Sequence, residues 1–439
     1  MRFRITLCLI AVLINYVAYL SIRRTIITFL NSRLQHNFLK IIAVAILVVN
    51  LPTLLILDRQ TDGWMYSLTP AALKLIFSPT TVWIETVITF LILSGPICMV
   101  AFLVKIISGA SNKVTQRADY SPNSSTVSPA IDPVISRRGL LAGSAGLLIP
   151  GILPISAYSA YGSMSEIDIP AGHSIPIPYL PWSLEGLKIV QISDLHVGPF
   201  LGEDELKHVV TLVNAMNPDL VFITGDLIDR SLSDLPKALR GLKGIHCTFG
   251  TYAVLGNHDI SSDPYDRAGD HLGGVNIANG LNSIGIQSLR NEVTYIGSGK
   301  NQLALLGLDW LSQPGDRHFY SYRQAETRKQ LGRMMEQFDP QTPTILLAHH
   351  PDTFEDAAPL GIGLTLAGHT HGGQVVLANI NGMPLGMGQL RYRYIAGLYK
   401  NKNSSLYVNR GIGCYGIPVR INCRPEISQF RLTANSCES

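Results

Sequence analysis

LKIVQISDLHVG, residues 187–198, decides the fold class. The run 187–193 is short and mostly apolar; Asp194 and His196 follow it at once, and Gly198 closes the segment. A short apolar run bounded by turn residues reads as a buried β-strand. A helix-like stretch, DELKHVVTLVNAMN (204–217), comes next, and then a second apolar run, PDLVFIT (218–224). Three more such runs follow: TYAVL (251–255), TPTILLAH (342–349) and LGIGLTLAGH (360–369), with helix-like sequence such as 321–338 between them. Strands alternating with helices predict an α/β sheet core. The roughly 250 residues from 185 onward suffice to bury one as a single domain.

Each of these runs delivers polar residues at its end: Asp194 and His196, Asp226, Asn257 and His258, His349, and His369 and His371. Open α/β sheets place their sites beyond the carboxyl ends of their strands. On an extended backbone the D-x-H and H-x-H spacings put both side chains on one side, because strand side chains alternate with period 2. By the same alternation only one of His349 and His350 points at a shared site. Carboxylate, imidazole and carboxamide donors without a thiolate suit Mn, Fe or Zn better than a structural zinc site. Asp194, His196, Asp226, Asn257, His349, His369 and His371 are too many ligands for one tetrahedral ion, and they fit two ions sharing a carboxylate.

In order, the segments are Asp194-Leu195-His196, Gly225-Asp226-Leu227-Ile228-Asp229, Gly256-Asn257-His258-Asp259, Ala348-His349-His350-Pro351 and Gly368-His369-Thr370-His371. This series resembles the calcineurin-like metallophosphoesterase superfamily, with its D-x-H, G-D-x-x-D, G-N-H-D/E, H and G-H-x-H motifs, over roughly 187–433. The resemblance implies a four-layer αββα sandwich and two divalent metal ions (Mn, Fe or Zn). It implies that Asp194, His196 and His371 hold one ion, that Asn257, His349 and His369 hold the other, and that Asp226 bridges them. The ions then lie about 3.5–4 Å apart. A hydroxide between them attacks phosphorus in line, with electrostatics carrying most of the catalysis. His258, outside the ligand set, becomes the general acid toward the leaving oxygen. Asp259 orients its imidazole, and Asp229 is either a supporting carboxylate or a helix N-terminal one. His350, His246, His208, His271 and His318 read as ordinary core or surface histidines.

Around this constellation, Gly372, Gly373 and Gln374 form either a phosphate approach or a plain turn. Residues 384–404 mix glycines with Arg391, Tyr392, Arg393, Tyr394, Tyr399, Lys400 and Lys402, which reads as a rim for anionic substrates or lipid headgroups, or as a solvated loop. NRGIGCYGIPVRINCRPEI (409–427) resembles the closing segment of a bacterial membrane-associated branch, the YkuE/YaeI-like phosphoesterases, with Arg410 a candidate to line the site. Cys414 with Cys423, and Cys247 with Cys437, could pair in an extracytoplasmic domain. Free buried thiols are the alternative, since connectivity is unreadable from sequence.

The N-terminal third is of another kind. Residues 5–22, 41–57 and 86–104 carry no charge. A bilayer core needs about 17–25 such residues as a helix, so 1–107 reads as a transmembrane region of three helices. Residues 108–137 have polar linker composition. Residues 138–162, uncharged after Arg137-Arg138 but rich in Gly and Ala, read as a fourth span or a signal-like segment of the twin-arginine kind. A Pro-rich linker, 163–184, then leads into a catalytic domain at 185–435. The first and third loops hold nine basic residues against four for the N-terminus and second loop, which makes those loops cytoplasmic. With a fourth span, the catalytic domain lies on the extracytoplasmic side of a bacterial inner membrane; if 139–162 does not span, the domain is cytoplasmic.

Composition limits the alternatives. Charged residues are 15% and hydrophobic residues 46% of the 439, which excludes a disordered tail protein. A net charge of +4 does not indicate nucleic-acid binding. The expected function is a membrane-anchored phosphodiesterase acting on a phosphoester, lipid-linked ones included. A pyrophosphatase on a lipid-linked nucleotide such as UDP-2,3-diacylglucosamine ranks second, because that substrate requires the cytoplasmic leaflet. The alternative of another class is a non-catalytic membrane receptor or scaffold; loss of a ligand or of His258 would have supported it, and none is lost. A transporter is disfavoured because the spans offer no ion pathway. Oligomeric state is not legible.

Overall fold

A computed structural model describes residues 166–229, 231–260, 272–310, 319–380, 383–415 and 420–434, together with 39–49 and scattered positions between 15 and 86. The chain divides into two compact units, Met1–Thr61 with Phe77–Ala160, and Asp62–Ile76 with Tyr161–Ser439. In the first unit, residues 39–49 are helical and expose Ile41, Val44, Leu47 and Val48. Trp83 Nε1 donates a hydrogen bond of 2.6 Å to Asn15 Oδ1. Among the described residues no helix is long and apolar enough to cross a membrane, so the expected transmembrane region of three to four helices gains no support there. Apart from 41–49 and isolated positions, the three uncharged runs lie outside the described residues, as do all of 108–137 and 138–162.

The second unit is built on two six-stranded sheets. In the first, β1 (His173–Ile177), β14 (Ser428–Ala434), β2 (Lys188–Ile192), β3 (Leu220–Thr224), β4 (Thr251–Val254) and β5 (Ile286–Ser288) stand in that spatial order. In the second the order is β12 (Gly397–Asn401), β13 (Ser404–Val408), β9 (Leu364–Ala367), β8 (Thr344–Ala348), β7 (Asn301–Leu308) and β6 (Glu292–Ser298). The central pairs β2–β3, β3–β4, β7–β8 and β8–β9 are parallel, while β14–β2, β6–β7 and β12–β13 are antiparallel. Strands β3 and β8 are buried at every position, which is why their sequences are unbroken apolar runs.

Period-2 alternation splits each strand between two cores. Ile189, Leu220, Phe222 and Val254 point inward and meet Leu303, Leu305, Ile345, Leu347 and Leu366 of the other sheet. Val190, Ile192, Val221 and Ile223 point outward, against α1 (Glu203–Ala215), α2 (Leu235–Leu242) and α3 (Leu272–Ser283). On the far side Ala304, Leu306 and Leu346 pack on Leu331 and Met334 of α4 (Phe319–Met335). Helix, sheet, sheet, helix is the αββα sandwich expected from the motifs.

The expected Pro-rich linker, 163–184, is corrected. Its residues 173–177 form β1, which pairs in parallel with β14 and buries Ile175 and Ile177. Pro176 is tolerated there because β1 is an edge strand and needs no donor on its outer side. The domain therefore starts by Asp168, whose amide donates to Pro425 O at 2.7 Å.

Candidate metal centre

Strand β2 ends at Ile192, and the chain then turns sharply. Asp194 (φ 49°), His196 (φ 45°), Asp226 (φ 53°), His369 (φ 71°) and His371 (φ 52°) all sit in the left-handed region. The extended backbone expected for D-x-H and H-x-H is thus replaced by consecutive turns past the strand ends. Such conformations cost about 1–3 kcal/mol each and persist where surrounding structure enforces them, typically at functional sites. Cross-loop bonds enforce them here: Asp194 N donates to Gly225 O (3.0 Å), His196 N to Asp226 O (3.0 Å) and Val197 N to Leu227 O (2.9 Å). Gly225 has φ +92°, and a Cβ there would lie 2.5 Å from His349 Nδ1, so the loop passes under that ring only as glycine.

The side chains converge. His196 Nε2 lies 3.1 Å from His371 Nε2, which is 3.4 Å from Asp194 Oδ1. His349 Nε2 lies 3.2 Å from His369 Nδ1. Asp226 Oδ2 stands between the two pairs, 3.5 Å from His196 Nε2 and 3.2 Å from His349 Nε2. Asp194, His196, Asp226, His349 and His371 are all buried. Their ligand-type atoms form overlapping triads: Asp194 with His196 and His371, Asp226 with His349 and His369, and His196 with Asp226 and His258. Asn257 opens a one-turn helix, Asn257–Ile260, beside Asp226, and its side-chain oxygen is buried.

This donor set fits divalent cations. Buried imidazole nitrogens facing each other at 3.1 and 3.2 Å share at most one proton per pair. Nitrogens bound at 2.0–2.1 Å around a tetrahedral ion stand about 3.3 Å apart, close to these spacings.

The electrostatics without cations follow from the same geometry. Burial pushes the His349 imidazolium toward neutrality, but Asp226, Asp194 and the Thr224 carbonyl outweigh it and hold the ring up at about 9. Burial favours a neutral Asp226, yet His349, His258 and His196 keep its carboxyl well below the usual range. Burial and the neighbouring His196 and Arg420 push His371 well down. The protonated form of His349 adds stability below its ordinary 6.5 and loses it as pH rises through about 9. A cation needs the neutral ring, so binding near pH 7 is expected to expel about one proton from His349, and affinity to fall as pH drops. Calorimetric titration with Mn in buffers of different protonation enthalpy reads this release; buffer-independent heats at pH 7 would refute it.

His258 hangs at the edge of the cluster with its side chain 16% exposed. Its Nδ1 hydrogen-bonds the Asp229 carbonyl and is 3.8 Å from Asp229 Oδ1, while its backbone N–H donates to Asp226 Oδ1 at 2.8 Å. Asp229 Oδ1 is also 3.5 Å from His196 Nδ1. Asp229 therefore orients both imidazoles, the role expected of Asp259. The Asp259 carboxylate instead accepts Leu227 N (2.8 Å), Ile228 N (3.3 Å) and Gly256 N (2.9 Å), which ties the Asp226 loop to the Asn257 loop. Burial and Asp226 raise its carboxyl to about 7.

His350 Nδ1 accepts the Asp352 amide at 3.1 Å and caps a turn, with its ring 4.8 Å from that of His369. His208 and His246 are exposed; His271 and His318 lie outside the described residues. Arg410 pairs with Glu426 and, at 2.7 Å, with Asp168, so it is committed to structure and does not line the cluster. Cys247, Cys414 and Cys423 are free thiols, and Cys437 lies outside the described residues.

Sequence reading missed three residues. Trp310, after β7, lays its ring 5.7 Å from His349 and 5.1 Å from His369. Tyr415 stands edge-on to His258 at 5.4 Å. Arg420 is fully buried; its Nη2 donates to Arg410 O (2.9 Å), Gly411 O (3.1 Å) and Gly413 O, and its Nη1 to Cys423 O (3.3 Å). The loop it gathers roofs Asp194: Gly413 N donates to Asp194 O at 2.7 Å and Ile412 N to Ser193 O at 3.0 Å. The single sign in sequence is a cation amid the apolar GIPVRIN. Arg420→Met strands several buried carbonyls and is expected to cost about 3 kcal/mol, since each such group costs about 1–3 kcal/mol. Urea unfolding of the metal-free protein measures it; an unchanged midpoint would show the guanidinium to be dispensable.

A buried cluster of histidines and carboxylates at the strand ends of an αββα sandwich defines a metal-dependent hydrolase. Residues 187–373 match the family model for calcineurin-like phosphoesterases. The chain is 31% identical over 252 residues to the phosphodiesterase YaeI of Escherichia coli, covering 56% of this chain and 82% of that one. It is 28% identical over 309 residues to the metallophosphoesterase YkuE of Bacillus subtilis, covering 69% and 99%. A protein of Danio rerio named "Transmembrane protein with metallophosphoesterase domain" is 31% identical over 305 residues. The chain spans 65% of that relative's length and 62% of its Bos taurus counterpart's. The chain belongs to the calcineurin-like phosphoesterase family, in the branch of YkuE and YaeI.

Proposed function

We propose that this chain is a membrane-anchored phosphodiesterase that works with two divalent cations, Mn, Fe or Zn. The observation that carries the reading is the position of Asp226 Oδ2, within 3.5 Å of His196 Nε2 and 3.2 Å of His349 Nε2. One carboxylate oxygen common to two imidazole clusters is what a shared ligand requires. Asp194, His196 and His371 would hold one ion; Asn257, His349 and His369 would hold the other. When bound, such ions supply Lewis-acid activation of water and neutralise charge on the phosphoryl oxygens.

The chain's own groups do the rest. His258 is fixed by Asp229 at Nδ1, which leaves Nε2 to deliver a proton to the leaving oxygen. Asp229 holds His196 and His258 in register, and Asp259 keeps the two loops together. Arg420 fixes the loop over Asp194. The phosphodiester preference follows the relative YaeI, which is named a phosphodiesterase. The anchor rests on the uncharged runs 5–22, 41–57 and 86–104, on the apolar side chains exposed along 39–49, and on the transmembrane naming of the vertebrate relatives. The catalytic domain is read as extracytoplasmic.

The full chain in detergent, stripped of metal and reloaded with Mn, is expected to hydrolyse bis-p-nitrophenyl phosphate faster than p-nitrophenyl phosphate, and neither without metal. A preference for the monoester would overturn the diesterase reading. A folded, two-metal protein inert on both would favour a binding role.

A further inference from the structure

Val376–Ile380 (β10) and Met383–Gly386 (β11) form an antiparallel hairpin that belongs to neither six-stranded sheet. An isolated two-stranded hairpin is marginal in water. This one nevertheless presents aliphatic side chains to solvent: Leu377 is 41% exposed, Ile380 57% and Leu385 46%. Its base is firmly set. Val376 is buried, its amide donates to Ile421 O at 3.0 Å, and β11 packs against the turn His371–Gly373 that carries a cluster histidine. The hairpin therefore rises from the mouth of the metal centre.

Charge points the same way. From 357 to 409 the sequence contains four Lys or Arg and no Asp or Glu. Directly after the hairpin, Arg391, Arg393, Lys400 and Lys402 are exposed. Arg391 lies over the Tyr392 ring at 5.4 Å, and that ring stands 5.6 Å from His369. Arg393 meets Glu355 at 2.8 Å. An apolar spike followed by a basic rim complements an anionic bilayer: aliphatic side chains enter the acyl boundary and cations meet the headgroups.

We propose that the paired strands Val376–Ile380 and Met383–Gly386, with Arg391, Arg393, Lys400 and Lys402, dock the catalytic domain onto an anionic lipid surface, so that the site receives phosphoesters carried at that surface. The inference rests on the membrane placement proposed above and does not depend on hydrolysis.

The test uses the full chain reconstituted into vesicles of phosphatidylglycerol with brominated acyl chains, comparing Ile380→Trp with the parent, whose four tryptophans set the background. The introduced indole is expected to lose about half its emission to the bromines. That quenching should fall about twofold or more in phosphatidylcholine vesicles, and likewise when Arg391, Arg393, Lys400 and Lys402 are all changed to Gln. Protein that floats with the vesicles while the indole stays unquenched overturns the docking and leaves the anchor standing. So does blue-shifted, unquenched emission, which marks a hairpin buried against protein, a second copy included. Quenching that ignores lipid charge and the Gln changes overturns the electrostatic half. Failure to float at all refutes the anchor itself. A quenched indole in a protein inert on every phosphoester keeps the docking and sinks only the enzymatic reading.

Discussion

Asp226→Ala is expected to empty the site of both cations and to lower diester turnover by about 10³-fold or more, since even one lost electrostatic donor is worth about 10²–10³. The effect is large because Asp226 works with both of its oxygens. Oδ2 faces His196 Nε2 at 3.5 Å and His349 Nε2 at 3.2 Å, and Oδ1 accepts the His258 amide at 2.8 Å. Its removal leaves three buried imidazoles, His196, His349 and His371, and the half-buried His258 and His369, with Asp194 and Asp229 as the carboxylates still facing them. It also removes the acceptor of the His258 amide, which ties the two loops together. Asp226→Asn separates these roles, because the amide keeps the bond to His258 N and loses the charge. Metal content by mass spectrometry, read beside turnover, decides it. Two retained ions and near-parental rates in Asp226→Ala would refute the bridging assignment.

His258→Ala should be nearly as damaging for a different reason. General acid catalysis contributes about 10²–10⁴-fold, and Asp229 holds the ring at Nδ1, as the proposed role needs. The metals should stay, because both ligand sets are complete without it. The loss should also depend on the leaving group. It should be severe for an alkoxide, which needs the proton, and slight for p-nitrophenolate, which leaves without one. His258 also sits within reach of His196 and Asp226 as a third triad, so an ion lost from His258→Ala would make it a ligand instead. A rate loss equal for both leaving groups would remove it from proton transfer.

Much of this was legible beforehand because ligand chemistry and strand position are local properties. An apolar run followed by Asp, His or Asn declares both the strand and the residue beyond it, and Asp194, His196, Asp226, His349, His369 and His371 were found that way. Three-dimensional cross-links were not legible. Asp259 and Asp229 are both acidic residues near His258, and nothing in their spacing says which one reaches the imidazole. The fold assigns Asp259 to three backbone amides and Asp229 to the ring. Arg410 and Arg420 look alike in sequence, yet one is tied to Glu426 and Asp168 while the other is fully buried among carbonyls. Proline content disguised β1 as a linker, because an edge strand excuses the missing donor.

From sequence alone come the α/β class, the donor side chains that the fold gathers at its strand ends and the apolar character of the N-terminal third. Each depends on composition and short-range periodicity. Tertiary structure alone decided how those side chains meet. The D-x-H and H-x-H segments do not act through strand alternation. They turn into left-handed conformations that only the neighbouring loops can enforce. Tertiary structure also set which carboxylate serves which histidine, because that choice depends on loops from distant parts of the chain arriving at one place.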